Sequence, residues 1–408
     1  MATAPRRPGW LNRSSAGVAL ASLFSDVSHE LATAVLPMLL LGLGAGSGAL
    51  GIIEGASDGL SALAKLWGGA YADRAPRRKP LAAAGYLVTA VGMAAMGLCT
   101  QAWEILLCRV AAWLGRGSRS ASRDILLIEN VPAQSLGKAF GMERAGDALG
   151  AVIGPMLALG WVASGAPARS IVLGSLVPGL LAFGAITWLV HEPRRGPLPG
   201  PHRTLRASVT GTGRAFHTYL AGIAAFGCGD FSRTLLILYA TQHLAGGAFG
   251  LSGASLAIGL YVLHNAVSAV AAFPLGALTD RVGRKPVLVA GYAFAAAVTL
   301  AFALLPATPH ALALLFMGSG VAVACEEVAE KALAVVLLPA SVKGTGLGVL
   351  AAVNGLGDLV SSALVGGLWA LFPLRPAVGF AVAAALQLTG AALMGAVPER
   401  ARHVPGTN

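Results

Sequence analysis

Stretches of about twenty apolar residues, the length that crosses the hydrocarbon core of a bilayer as a helix, recur along this whole chain and leave room for little else. Twelve such spans are predicted, at 15–41, 49–72, 80–99, 103–128, 138–163, 168–190, 215–243, 252–278, 286–305, 309–337, 345–371 and 374–396. With 56% hydrophobic and 12% charged residues, against about a quarter charged in soluble domains, water cannot be the main solvent. The fold class expected is an all-α polytopic membrane protein of twelve transmembrane helices. The first span follows Arg6, Arg7 and Arg13 as a signal peptide might, but it is long and carries Asp26, His29 and Glu30. It reads as a retained helix.

The net charge of +11 sits where membrane topology would put it. Arg74, Arg77, Arg78 and Lys79 share one short loop, Arg281, Arg284 and Lys285 another, and Arg194, Arg195, Arg203, Arg206 and Arg214 the polar connector 192–214. The alternate loops, such as Gly44 to Gly48, are nearly free of Lys and Arg. The positive-inside rule therefore places both termini and the connector on the cytoplasmic side of a cell (inner) membrane. Nucleic acid is excluded as a partner on the same grounds. The four cysteines form no C-x-x-C pair, so neither a disulfide framework nor a zinc site is expected. No P-loop string and no strand-turn-helix glycine cluster is present, and Ser28 beside His29 is too ordinary for a nucleophile. The chain is expected not to be an enzyme and to need no cofactor; its partners are lipid, a small molecule and protons.

The connector divides the chain into halves 1–191 and 215–408, each with six spans. A shift of 207 residues lays one on the other: Asp73-Arg74 on Asp280-Arg281, Arg77-Arg78 on Arg284-Lys285, Gly141 on Gly348, Gly150 on Gly357 and Asp147 on Asn354. The halves are thus pseudo-symmetric, and substrate in such bundles is expected near the midplane between them.

Several of these strings resemble those of the major facilitator superfamily, and the resemblance runs over nearly the whole chain. Gly276 to Lys285 matches the loop pattern G-x-x-x-D-R-x-G-R-R/K in full, while Gly69 to Lys79 departs from it by Pro76 in place of glycine. The resemblance implies that Asp73, Arg74, Arg77, Arg78, Asp280, Arg281 and Arg284 form a cytoplasmic latch holding one conformation. Gly141, Gly150, Gly154 and Pro155 match the fifth-helix spacing G-x8-G-x3-G-P of antiporter branches, with Ala158-Leu159 in place of a glycine pair. This implies an exporter working by antiport. It also implies a monomer, and a central cavity flanked by helices 1 and 7. Gly146, Gly150 and Gly154 stand one turn apart, which permits close helix approach.

Thirteen of the eighteen acidic residues fall inside the predicted helices, all but Glu104 away from the helix ends. A centred charge costs about 2.5 to 3.5 kcal/mol on insertion scales, so each must be paired, protonated or wet. Asp26, His29 and Glu30 share one face of helix 1, and Glu54 and Asp58 stand one turn apart in helix 2. Crowded carboxylates without cations favour a bound proton, so Asp26, Glu30, Glu54 and Asp58 are the expected proton-coupling set. His29, Arg109, Asp147, Asp230, Arg233 and Asn354 are expected around substrate. Phe231-Ser232-Arg233 falls on Phe24-Ser25-Asp26 at the 207 shift, so Arg233 takes the repeat position of Asp26 and an Asp26–Arg233 pair is expected across the halves. Arg119 and Arg123 fall on Glu326 and Glu330 at the same shift, which suggests cross-half gate pairs. Three other readings remain: a proton-coupled importer, a divalent-metal exporter using Asp26, His29 and Glu30, and a receptor on the same bundle. No resident metal is expected.

Overall fold

The computed structural model describes residue 9 and residues 11–74, 77–132, 136–192, 213–338 and 343–398. It is helical throughout, the one β contact among the described residues being an isolated bridge from Ala248 to Leu251. The N-terminal half comprises α1 (Arg13–Gly42), α2 (Ser47–Arg74), α3 (Lys79–Ala95), α4 (Ala102–Asn130), α5 (Leu136–Ala163) and α6 (Ala168–Leu189). The C-terminal half comprises α7a (Arg214–Gly227), α7b (Arg233–His243), α8 (Gly253–Val282), α9 (Arg284–Leu304), α10 (Pro309–Leu337), α11 (Lys343–Leu371) and α12 (Ala377–Gly395). The connector residues 193–212, and with them Arg194, Arg195, Arg203 and Arg206, lie outside the described residues.

Nine helices among the described residues are long and apolar enough to cross a membrane. The expected spans that fall short of that criterion are α2, α4 and α7, and the reason is physical. Helix α4 carries Arg109, Arg116, Arg119 and Arg123, α2 carries Glu54, Asp58 and Lys65, and α7 is interrupted. Large apolar side chains such as Trp188 (72% exposed), Val270 (76%) and Leu314 (70%) face outward, as a lipid-contacting rim requires.

The interruption of α7 at Cys228–Ser232 departs from the single span 215–243 expected from sequence. Breaking a helix at membrane depth frees backbone groups that must be satisfied within protein. Here Gln387 Nε2 donates to Gly229 O at 3.0 Å, Ser361 Oγ to Asp230 O at 2.9 Å, and Ser232 N to Ser362 Oγ at 3.0 Å. Helices α11 and α12 therefore hold the break open, and the break presents Asp230 and Arg233 to the centre of the bundle.

Between the halves, α2 packs on α11 and α5 on α8, the two contacts being related by the sequence repeat. The α2–α11 seam is close because glycine lines it: a Cβ on Gly55 would meet Leu359 O at 2.6 Å, and one on Gly366 would meet Ser47 O at 2.5 Å. These contacts lie toward the α1–α2 turn. Between α8 and α9, Gly283 adopts φ 115°, which accounts for the glycine of the second loop motif. Pro76, its counterpart, lies outside the described residues.

Candidate functional site: a charged cavity between the halves

Helix α4 organises the N-terminal wall. Arg109, Arg116 and Arg123 recur every seventh residue and form one stripe. Each meets an acid from a different helix: Arg109 meets Glu54 of α2 at 2.7 Å, Arg116 meets Asp26 of α1 at 2.9 Å, and Arg123 meets Glu143 of α5 at 2.8 Å. Arg109 is 1% exposed and lies over the Trp113 ring at 4.1 Å, while Trp113 Nε1 donates to Asp58 Oδ1 at 2.6 Å. Glu54 and Asp58 are therefore not the unpaired dyad expected from their spacing. Packing α2 on α4 gives each its own partner.

Glycines of α5 seat the acid-bearing helix. A Cβ on Gly146 would meet Ala19 O at 2.7 Å, one on Gly150 would meet Asp26 Cβ at 2.8 Å, and one on Gly154 would meet Glu30 Cβ at 2.8 Å. Asp26 and Glu30 thus stand where α1 runs closest to α5, and Pro155 follows inside the helix. Gly141 lies in the first turns of α5, and what surrounds it lies outside what the structure describes.

Glu30 reaches across the halves. Tyr261 Oη of α8 donates to its Oε2 at 2.7 Å, and His29 Nε2 lies 3.5 Å from its other oxygen. Asn265 Nδ2 donates across the same seam to Ala151 O at 2.7 Å. Tyr261 is the residue that the 207 shift places on Glu54, so a cross-half polar contact at this level was partly legible in the repeat.

Other expected pairings are rearranged. Asp26 does not pair with Arg233: Arg116 holds Asp26, and Arg233 turns to Asp230, three residues before it, at 3.2 Å. The gate pairs are absent from this conformation as well. Arg119 donates to Ser25 Oγ at 2.6 Å and lies 3.7 Å over Tyr86. Arg123 takes Asp124 as well as Glu143. Glu330 accepts from Tyr292 Oη and, at 2.8 Å, from Asn354 Nδ2. Asp147 lies 3.7 Å from Arg144. Among the described residues no three His, Cys, Asp or Glu side chains gather as a metal set, because Asp26 is drawn to Arg116, away from His29 and Glu30.

Of the expected latch, Arg78 pairs with Glu129 at 3.1 Å, and Arg77, Arg281 and Arg284 are exposed. The side chains of Asp73, Arg74 and Asp280 lie outside what the structure describes. Lys79 Nζ caps Val190 O and Lys285 Nζ caps Val397 O, at 2.7 and 2.8 Å. Each half thus ties its loop to the end of its own last helix.

The two walls enclose a cavity of about 580 Å³, within the range of small-molecule sites, whose lining includes His29, Asp58, Arg116, Asp230, Arg233, Tyr261 and Asn354. Arg109 and Glu54 border an adjoining space with the same His29, Asp58 and Arg233.

The sequence profile of the Major Facilitator Superfamily matches residues 18–362 and again 223–407. An uncharacterised MFS-type transporter of Methanocaldococcus jannaschii is 29% identical over 358 residues, 86% of this chain and 87% of that one. Multidrug resistance protein MdtH of Escherichia coli is 32% identical over 109 residues, 27% of this chain and 26% of that one. The crystal structure of a bacterial homolog of the human lysosomal transporter Spinster, inward-facing and occupied, superposes with a TM-score of 0.70 at 18% identity, covering 94% of each chain. A profile matched in both halves, a full-length transporter relative and a shared fold agree with the cavity between the halves: the chain is a multi-pass membrane transporter belonging to the Major Facilitator Superfamily.

Proposed function

We propose that the chain exports a small molecule in exchange for protons, by alternating access to the central cavity. The observation that carries this reading is the cross-half bond from Tyr261 to Glu30 beside Asp58 on the cavity wall. A carboxylate that joins the two halves can change their attraction when it takes up a proton. Asp26, held between Arg116 and the α5 glycines, and Asp58, held by Trp113, are the other carriers of the exchanged proton. Arg233 is the counter-charge on the opposite wall.

Direction rests on two further supports. The α5 string from Gly141 to Pro155 has the antiporter spacing, and the partial likeness to MdtH is to a multidrug resistance protein. Both termini and the connector are assigned to the cytoplasm from the loop charges. The latch loops would then open and close the cytoplasmic side.

Everted membrane vesicles acidified inside and loaded with a pH-sensitive dye test the reading. A panel of small molecules is added in turn, and an exchanged substrate releases lumenal protons and restores fluorescence. Release by at least one compound, absent from vesicles with Glu30→Gln, is the expected result. Proton movement in the same direction as the solute would replace export by symport.

A further inference from the structure

The two walls of the cavity differ in charge. From the C-terminal half five carboxylates line it, Asp230, Glu326, Glu327, Glu330 and Asp358, against Arg233 and Lys331. That is an excess of three acidic over basic groups. The N-terminal wall contributes Asp58 against Lys65 and Arg116, an excess of one positive charge. The internal pairings sharpen the difference. Glu330 is occupied by Tyr292 and Asn354, and Asp230 by Arg233. Glu326, Glu327 and Asp358 line the cavity together with Arg233, and their carboxylates have no hydrogen bond of their own among the described residues.

A second observation is independent of the carboxylates. His264, 3% exposed, and His29, 9% exposed, each leave ring Nδ1 without a hydrogen-bond partner. Both rings line the same cavity. A buried ring nitrogen without a partner is costly, and in the neutral ring one nitrogen accepts an N–H. Surplus negative charge at membrane depth is likewise costly until a cation matches it.

Resting on the reading of this cavity as the transport site, we infer that the substrate is an organic amine. Its ammonium group sits against Glu326, Glu327 and Asp358, between α7b, α10 and α11, in the cavity that the His29 and His264 rings also border. An anion of the same size is repelled by this wall, and a neutral analogue leaves its charge unmatched. The Trp113 and Tyr261 rings on the lining suit an amine carrying an aromatic or apolar body.

Equilibrium binding to the purified, detergent-solubilised full chain tests the assignment with four probes of one shape: tryptamine, its trimethylammonium derivative, tryptophol and indoleacetate. Tryptamine is expected to bind roughly tenfold or more tightly than tryptophol, one charge contact's worth of affinity, and indoleacetate not at all. The trimethylammonium form, which has no N–H, is expected to fall between tryptamine and tryptophol. Glu326→Gln and Asp358→Asn should each weaken tryptamine roughly tenfold, and Glu327→Gln, on a more exposed side chain, serves if either fails to fold. Equal binding of amine and alcohol, tighter binding of the carboxylate, no binding of tryptamine, or unchanged affinity in variants that melt like the wild type overturns the proposal. Binding needs no gradient, so its failure is distinguishable from failure of proton-driven export.

Discussion

Replacing Tyr261 by Phe removes one hydroxyl and with it the bond to Glu30 at 2.7 Å. A hydrogen bond to a charged group contributes about 1.5 to 3 kcal/mol. The loss is felt only in the conformation that contains the bond, here the one in which α2 and α11 meet toward the α1–α2 turn. At about 2 kcal/mol, and about 1.4 kcal/mol for each factor of ten, the population ratio would shift roughly thirtyfold. Glu30 keeps His29 at 3.5 Å, which offsets part of the loss, so about tenfold is expected. Spin labels at Gly46 and Ala245, both exposed beside the turns that close this side, report the ratio as short against long distances. Protonating Glu30 removes the acceptor's charge and about halves the bond. Acidification should therefore move the wild type in the same direction as Tyr261→Phe and move the variant less. A distance distribution unchanged within about twofold, in a variant that melts like the wild type, refutes the cross-half role of Glu30.

Other consequences can be checked separately. Gly150→Ala and Gly154→Ala force a Cβ to within 2.8 Å of Asp26 Cβ and Glu30 Cβ and should cost about 1 to 3 kcal/mol each by overpacking. Gly160→Ala, with nothing within 4 Å, should leave the melting temperature unchanged. Arg109→Gln strands Glu54 and should cost about 3 to 5 kcal/mol; adding Glu54→Gln should recover much of it, and no recovery in thermal melts would show that the pair is not the reason. Single cysteines at Gly246, in the α7b–α8 turn, should label from outside intact cells while cysteines at Arg203 should not. The opposite pattern inverts the topology.

Much of the fold was written in local pattern. Span length, the paired loop strings and the α5 glycines each depend on residues within one helix or on the 207 shift, and the packing of α5 on α1 follows directly from the glycine stripe. Choice of partner was not local. Arg109 finds Glu54 and Arg116 finds Asp26 because α4 lies against α2 and α1, which no spacing within α4 reveals, although the seven-residue recurrence of Arg109, Arg116 and Arg123 marked one charged stripe. Symmetry misled in two places: it set Arg233 opposite Asp26, yet an acid three residues before Arg233 was closer at hand, and it set Arg119 and Arg123 opposite Glu326 and Glu330, which this conformation does not pair. The break in α7 depends on Ser361, Ser362 and Gln387, more than 120 residues away in sequence, so an apolar run alone reads as continuous.

Gradient-driven transport in reconstituted vesicles tests the central claim, that carboxylates of α1 and α2 carry the exchanged proton. A compound that the dye assay identifies is followed in wild type, Asp26→Asn, Glu30→Gln and Asp58→Asn, once with an imposed pH gradient and once as exchange of labelled for unlabelled substrate without a gradient. Neutral side chains at these positions should abolish the gradient-driven accumulation while substrate-for-substrate exchange, or at least binding, persists. Accumulation at the wild-type level in all three variants would contradict the account.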